Sequence, residues 1–237
     1  MFMVRFDKKR HKYIDEKTGK ELISTTTLIG KYKKPFDKKV HATRVANREG
    51  LEVDFVLEMW EKEKNRACDY GTNIHEVMED YLTEGKVDEQ YRSLYDSYDK
   101  WKHIFKGYPN LMCEEKLYDL DNFIAGTADL IYENKNHFIV GDFKTNKAFN
   151  FYSPYNEYFL QPLNHLSVCE FNTYALQLSV YAYMYEKLSG KKCSGCVIMY
   201  KDKLDKFYPI RVNYLKAEVI VLIKHYNGPN SPLLKSS

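Results

Sequence analysis

The pattern of apolar and polar positions divides the chain into a strand-rich start, a long helical stretch, a run of strands, one strongly periodic helix, and a closing strand pair with a last helix. Residues 2–6 and 11–15 alternate as short strands, and Lys17 to Lys20, with Gly19 inside, reads as a turn. Ser24-Thr25-Thr26-Thr27 places hydroxyls where a helix start needs them, ahead of Leu28 and Ile29. From 38 to 65 the period is helical, with Val53, Val56, Leu57 and Trp60 on one stripe. Gly71-Thr72-Asn73 reads as the opening of the next helix, with Ile74, Val77, Met78, Tyr81 and Leu82 on its apolar face. Another helix is expected near 88–106.

After Pro109 the period changes to that of strands: 113–120, 123–132 and 138–144, with turns at Asp121-Asn122 and Asn134-Lys135-Asn136. A loop carrying Pro154, Pro162 and several aromatics leads into a helix at 170–188, which Ser189-Gly190 ends. Residues 197–200 and 207–212 predict a hairpin, and 214–226 a last helix. The expectation is a mixed α/β fold with a central mixed sheet flanked by helices.

A chain of 237 residues with 44% hydrophobic content can bury a core, which excludes a disordered chain. No repeat or obvious linker divides it, so one domain spanning 1–237 is expected. No run approaches the ~20 apolar residues that cross a bilayer. Met1 to Arg10 lacks the apolar centre of a signal peptide. An intracellular, cytoplasmic protein with no membrane partner is the expected class.

The net charge of +3 does not announce a nucleic-acid binder, but its distribution says more. Lys31, Lys33, Lys34, Lys38, Lys39, Arg44 and Arg48 face only Asp37 and Glu49 within twenty residues. Such a run can hold phosphates, and it reads equally as a solvated lysine-rich surface. Five scattered cysteines suit reduced thiols. Cys193 and Cys196 form a CxxC without a second close pair, which favours structural cysteines over a zinc or redox site.

The chemistry concentrates in Gly126-Thr127-Ala128-Asp129 and Gly141-Asp142-Phe143-Lys144. With a strand period of two, Asp142 and Lys144 share a face while Phe143 points to the other. If the strands are neighbours, Asp129 meets Asp142, and two such carboxylates repel unless a cation lies between them. Oxygen ligands favour magnesium or manganese. A lysine beside such a cation orients water or stabilises charge on phosphate. An Asp and a Lys two apart also commonly make a plain surface ion pair. His75 and Glu79, one helical turn apart, can add an imidazole and a carboxylate. Gln177 and Tyr181, also one turn apart, are polar residues in an otherwise apolar helix and need partners.

Four pieces in this order resemble the RecB-like branch of the PD-(D/E)XK nucleases: a GxxxH helix (Gly71 to His75), a GxxD strand (Gly126 to Asp129), a DxKT strand (Asp142 to Thr145) and a QxxxY helix (Gln177 to Tyr181). The resemblance spans roughly Tyr70 to Glu186. Ala128 stands where the literal motif has proline. Tyr13 to Leu28 also looks like the start of phage and mitochondrial members, which extends the expected setting to a phage protein in its host's cytoplasm or to mitochondria.

The resemblance implies a restriction-endonuclease-like core at 70–212, preceded by a hairpin and a partly basic, DNA-gripping helical region at 1–69 and followed by a helix and tail at 213–237. It implies His75, Asp129, Asp142 and the Phe143 carbonyl as ligands for magnesium or manganese. Lys144 then activates the water, while Gln177 and Tyr181 support the lysine and contact DNA. Glu79 and Glu114 are candidate partners for a second ion. Lys33, Lys34, Lys38, Lys39 and Arg44 are candidates to hold the DNA backbone. Iron–sulfur members use one early and three late cysteines, and the late side here offers only Cys193 and Cys196, so no cluster is expected. The implied activity is an exonuclease on linear or single-stranded DNA ends, in recombination, repair or replication processing, with a recombination or replication protein as a candidate partner. The alternatives are a structure-specific or flap endonuclease and a catalytically silent DNA-binding module.

Overall fold

A computed structural model describes residues 3–7 and 9–229. Residue 2 of the first expected strand and the tail beyond 229 lie outside the described residues. Strands β1 (Val4–Asp7), β2 (Lys12–Asp15) and β3 (Glu21–Ser24) form an antiparallel meander, and Ser24 caps α1 (Thr25–Gly30) by accepting the Thr27 N–H. The strand β3 falls where the sequence pattern offered only the end of a turn. Four residues between a turn and a cap are too few to show alternation.

Helix α2 (Lys38–Glu49) ends at Gly50 in the left-handed conformation, and α3 (Val53–Glu84) follows directly. The single helical stretch expected over 38–65 is therefore broken, because φ near 67° at Gly50 turns the chain back. The break expected at Gly71 is absent. Helix α3 runs through it for 32 residues, about 48 Å at 1.5 Å per residue. Its first half packs against α2 through Ala42, Ala46 and Val56. Its second half buries Ile74 and Met78 against the sheet. A 3-10 turn at Glu89–Tyr91 precedes α4 (Arg92–Trp101), and another follows at Lys102–Phe105, so the helix expected over 88–106 is α-helical only in its middle.

Strands β4 (Asn110–Asp119), β5 (Ile124–Glu133) and β6 (His137–Lys144) are antiparallel neighbours. Helix α5 (Glu170–Ser189) then crosses one face and delivers β7 (Lys192–Lys201) parallel to β6. Strand β8 (Phe207–Val212) closes antiparallel to β7, and α6 (Lys216–Asn227) packs beside α5. The result is a mixed eight-stranded sheet with α5 and α6 on one face and α3 and α4 on the other. The mixed α/β architecture expected from the sequence is the one observed, and its succession of helix, three antiparallel strands, helix and parallel strand is consistent with a restriction-endonuclease-like core.

One feature of the sheet opens a site. Strand β4 occupies one edge of β5 along its length, so β3 and β6 must share the other. The strand β3 pairs only at Ile124 and Ala125, and β6 only from Leu130 onward. Residues 126–129, the GxxD segment, lie in the gap. No helix among the described residues is long and apolar enough to cross a membrane.

Candidate metal centre and active site

Three carboxylates line up across three strands. Pairing of Cys113 with Leu130 and of Glu115 with Ala128 sets Glu114 opposite Asp129. Pairing of Leu130 with Gly141 sets Asp142 opposite Asp129 from the other side. At this row the alternation of faces slips by one residue: Leu130 and Tyr132 pack toward α3 and α4, whereas Ala128 packs toward α5. Glu114 takes up the slip with a φ of 50°. A left-handed backbone at a non-glycine residue costs about 1–3 kcal/mol, a strain found chiefly where a side chain must be aimed.

His75 joins the row from α3. Its Nδ1 lies 3.3 Å from Asp129 Oδ2, and its Nε2 lies 3.1 Å from the Phe143 carbonyl oxygen. The Phe143 N–H donates to the same Asp129 oxygen at 2.7 Å. Gly71 makes this approach practicable, since a Cβ there would stand 3.3 Å from Thr145 Oγ1, just past the end of β6. Burial disfavours the charged imidazole, but the charge and hydrogen bond of Asp129, with the charge of Asp142, outweigh it and hold the His75 pKa up to about 9.

On the other face, Asp142 is only 2% exposed and forms an ion pair with Lys144. Gln177 donates from Nε2 to Asp142 Oδ1 at 3.2 Å and to the Tyr181 hydroxyl at 3.0 Å. Gln177 and Tyr181 are buried, with Asp142 and each other as partners. The Lys144 ammonium is held instead by Asp142 and by the face of Tyr174, 4.8 Å from the ring centroid. Burial first, then the charge of Asp129, raises the Asp142 pKa to about 6 against the pull of Lys144 and His75. Glu114 is pushed up to about 7 by burial and by Asp129. Burial works against the Lys144 charge as well, yet Asp142 and Asp129 more than compensate and raise its pKa.

These residues fit a hard divalent cation. Ligand atoms of His75, Glu114 and Asp129 lie within 4.8 Å of one another, the one such group among the described residues. Apart from its ion pair with Lys144, Asp142 Oδ2 is buried without a hydrogen-bond partner. Asp129 and Asp142 are buried side by side, with Glu114 next in the row, and such a group of carboxylates is costly unless positive charge compensates it. Asp142, expected from the sequence as a ligand, and Glu79 both lie outside this group; the charges of both are felt at Glu114. Ligands must shed their protons to bind. Affinity for Mn²⁺ is therefore expected to rise with pH from about 6 to 9, by roughly tenfold per pH unit for each proton displaced. Calorimetric titrations at pH 6, 7 and 8 measure this, and a flat profile would contradict the ligand set.

Gly126 keeps the floor of the site open. A Cβ there would meet the Tyr181 ring closer than real Cβ atoms approach anything and would stand 2.9 Å from Thr25 Oγ1. Gly126→Ala should displace Tyr181 and with it Gln177, destabilising the fold by about 1–3 kcal/mol. Denaturant unfolding checks this, and a variant as stable as the parent would show that the ring can give way.

A cleft of about 990 Å³ opens in front of Lys144. Its walls come from α3, the segment after β6, and the β7–β8 turn. Six cations line it, and five are paired with acids: Lys64 with Glu61, Arg66 and Lys147 with Glu63, Lys144 with Asp142, and Lys201 with Asp205; Lys203 is the sixth. The basic run expected to grip DNA does not line it. Lys33 sits over the Phe159 ring at 5.6 Å, Lys38 pairs with Glu61 at 3.5 Å, and Lys39 and Arg44 lie on the α2 arm. Of the cleft cations the sequence reading singled out only Lys144, because the others are scattered over separate segments and interleaved with acids, as in Glu61 to Arg66 and Lys201 to Lys206. Cys193 and Cys196 lie on β7, both against the α5–α6 core, because the β6–β7 register shifts beside them.

No family model matches the chain, and no curated protein matches it. Among solved structures it is similar to the protein SSO0001, at 15% identity over 91% of this chain and 76% of that one, with a TM-score of 0.40. It is also similar to a provisionally named exonuclease from Eubacterium rectale, at 11% identity over 84% of this chain and 68% of that one, with a TM-score of 0.37. Both are remote likenesses.

Proposed function

We propose that the chain is a metal-dependent deoxyribonuclease of the RecB-like PD-(D/E)XK kind, acting as an exonuclease at DNA ends in recombination, repair or replication processing. The observation that carries this reading is the row Glu114–Asp129–Asp142, completed by His75 and by the partly buried Lys144 at the floor of the cleft. His75, Asp129, Asp142, Glu114 and the Phe143 carbonyl would hold Mg²⁺ or Mn²⁺. Such an ion neutralises phosphate charge and lowers the pKa of bound water.

The chain's own groups supply the rest. Lys144, fixed between Asp142 and Tyr174, orients the attacking water and stabilises charge on the phosphate. Gln177 holds Asp142 by donating to Oδ1, and the Tyr181 hydroxyl fixes Gln177 by accepting from the same amide nitrogen. Lys33, Lys34, Lys38, Lys39 and Arg44 are proposed to steer the duplex part of the substrate toward the cleft. We read residues 1–237 as one nuclease domain, with 70–212 as its core, and a recombination or replication protein as its working partner.

End-labelled linear DNA and closed circular DNA, incubated with Mg²⁺, Mn²⁺ or chelator, test the reading. Metal-dependent loss of linear DNA alone is expected. Cutting of circles would make the enzyme an endonuclease, and no cleavage of either would leave a DNA-binding module.

A further inference from the structure

Cys193 and Cys196 take no part in the site above. Their spacing alone favours structural roles, and the course of β7 changes that. Residues three apart on a regular strand point to opposite faces. Here Phe138 pairs with Cys193 and Ile139 with Gly195, so Ser194 is an extra residue bulged out of the β6–β7 ladder. Past the bulge, Val140 pairs with Cys196. Phe138 and Val140 are successive positions on the α5–α6 face, and both cysteines pack on that face beside them. Two positions along a strand lie about 6.6 Å apart, inside the span of roughly 4.4–6.8 Å between Cα atoms that a disulfide bridges.

The two sulfurs differ in access and in acidity. Cys196 is 1% exposed, whereas Cys193 is half-buried, its S–H donating to the Gly195 carbonyl at 3.5 Å. The Cys193 N–H donates to Glu186 Oε1 at 3.1 Å, and Lys216 and the Tyr214 hydroxyl donate to the other oxygen of that carboxylate. The Cys196 thiol beside it holds the Cys193 pKa down, against burial and the charge of Glu186. The same contact, with burial, pushes the Cys196 pKa far up. The thiolate is the nucleophilic form of cysteine. A reachable sulfur that ionises readily, next to a buried one that keeps its proton, is the arrangement of an attacking and a resolving thiol.

We propose that Cys193 and Cys196 form a reversible dithiol–disulfide site whose substrate is a small-molecule disulfide of the glutathione class. The Cys193 thiolate attacks one sulfur of the small disulfide. A mixed S–S bond forms, the original S–S bond breaks, and the departing thiolate takes up the proton that Cys193 shed. Cys196 then attacks the Cys193 sulfur and gives its proton to the second departing thiolate. Two S–H groups of the chain are oxidised, and one small disulfide is reduced to two thiols. The bridge closes across the bulge, on the strand whose Ile198 pairs with Asp142 two positions further on.

The test needs no variant. The native chain is incubated with oxidised glutathione near neutral pH, quenched with acid, then unfolded, alkylated with N-ethylmaleimide and digested with trypsin. The peptide 193–201, which follows Lys192 and ends at Lys201, carries both thiols. It should be unalkylated and two hydrogens lighter than the dithiol, and dithiothreitol should restore the doubly alkylated form. Cys68, which is exposed, should carry a glutathione adduct in the same digest and so reports that the oxidant was active. Cys196→Ala should stop the reaction at the mixed disulfide, with glutathione left on Cys193. Cys193→Ser should leave Cys196 alkylated. Double alkylation of 193–201 while Cys68 is modified would overturn the site. So would a glutathione adduct that persists on Cys193 in the parent, or a bridge from either cysteine to Cys68, Cys113 or Cys169. None of these readouts depends on DNA cleavage.

Discussion

Lys144→Ala is expected to lower DNA cleavage by about 10³-fold while leaving DNA affinity within a few-fold of the parent. The side chain is deeply set, with its ammonium against Asp142 and the Tyr174 ring, so it contributes little to holding a long substrate. On the proposed mechanism its contribution falls on the reacting phosphate. The variant also separates a catalytic from a structural role. Removing the ammonium frees Asp142 from a competing cation, so metal affinity should be retained or should rise. Single-turnover cleavage, DNA anisotropy and calorimetric metal titration on the same preparation give the three numbers. Loss of metal binding together with cleavage would mean that the lysine merely supports the fold of the site.

The second large effect is on stability. The Asp142 pKa of about 6 lies above its usual 3.8, so between those values the folded chain binds more protons than the unfolded chain. Stability therefore falls as pH rises through that window. A divalent cation favours the charged carboxylates and opposes this loss. At a hundred times its Kd, a cation that binds only the folded state stabilises it by about 2.7 kcal/mol. For a domain of this size the melting temperature should then rise by roughly 5–10 °C. The rise should be larger at pH 7.5 than at pH 4.5, and Asp129→Asn should abolish it. A thermal melt with and without Mn²⁺ at the two pH values measures this. An equal rise in Asp129→Asn would place the ion elsewhere.

The parts of this picture that sequence reveals are those with a clear local period. Strands β4 to β6 could be read because apolar runs of strand length are bounded by turn residues at Asp121-Asn122 and Asn134-Lys135-Asn136, and the DxK spacing already implied that Asp142 and Lys144 share a face. Helix α5 stood out by its length. Gly71 misled because glycine usually weakens a helix by about 1 kcal/mol and so suggests a boundary. Here it serves the close approach to Thr145 instead. Register is not written in composition, so the alignment of Glu114 with Asp129, and the strained backbone that aims it, emerged only in three dimensions. The same holds for the cleft. The conspicuous run at 31–48 lies on the α2 arm and the segment before it, while the cations that line the cleft beside Lys144 come from 64, 66, 147, 201 and 203.

The most direct test of the central claim, that this acidic row holds the catalytic cation, is single-turnover cleavage of an oligonucleotide as a function of Mn²⁺ concentration in the parent and in Asp129→Asn. The account predicts saturable metal dependence in the parent and no metal-stimulated cleavage in the variant at millimolar Mn²⁺. Cleavage in chelator, or the same metal dependence in both proteins, would contradict it.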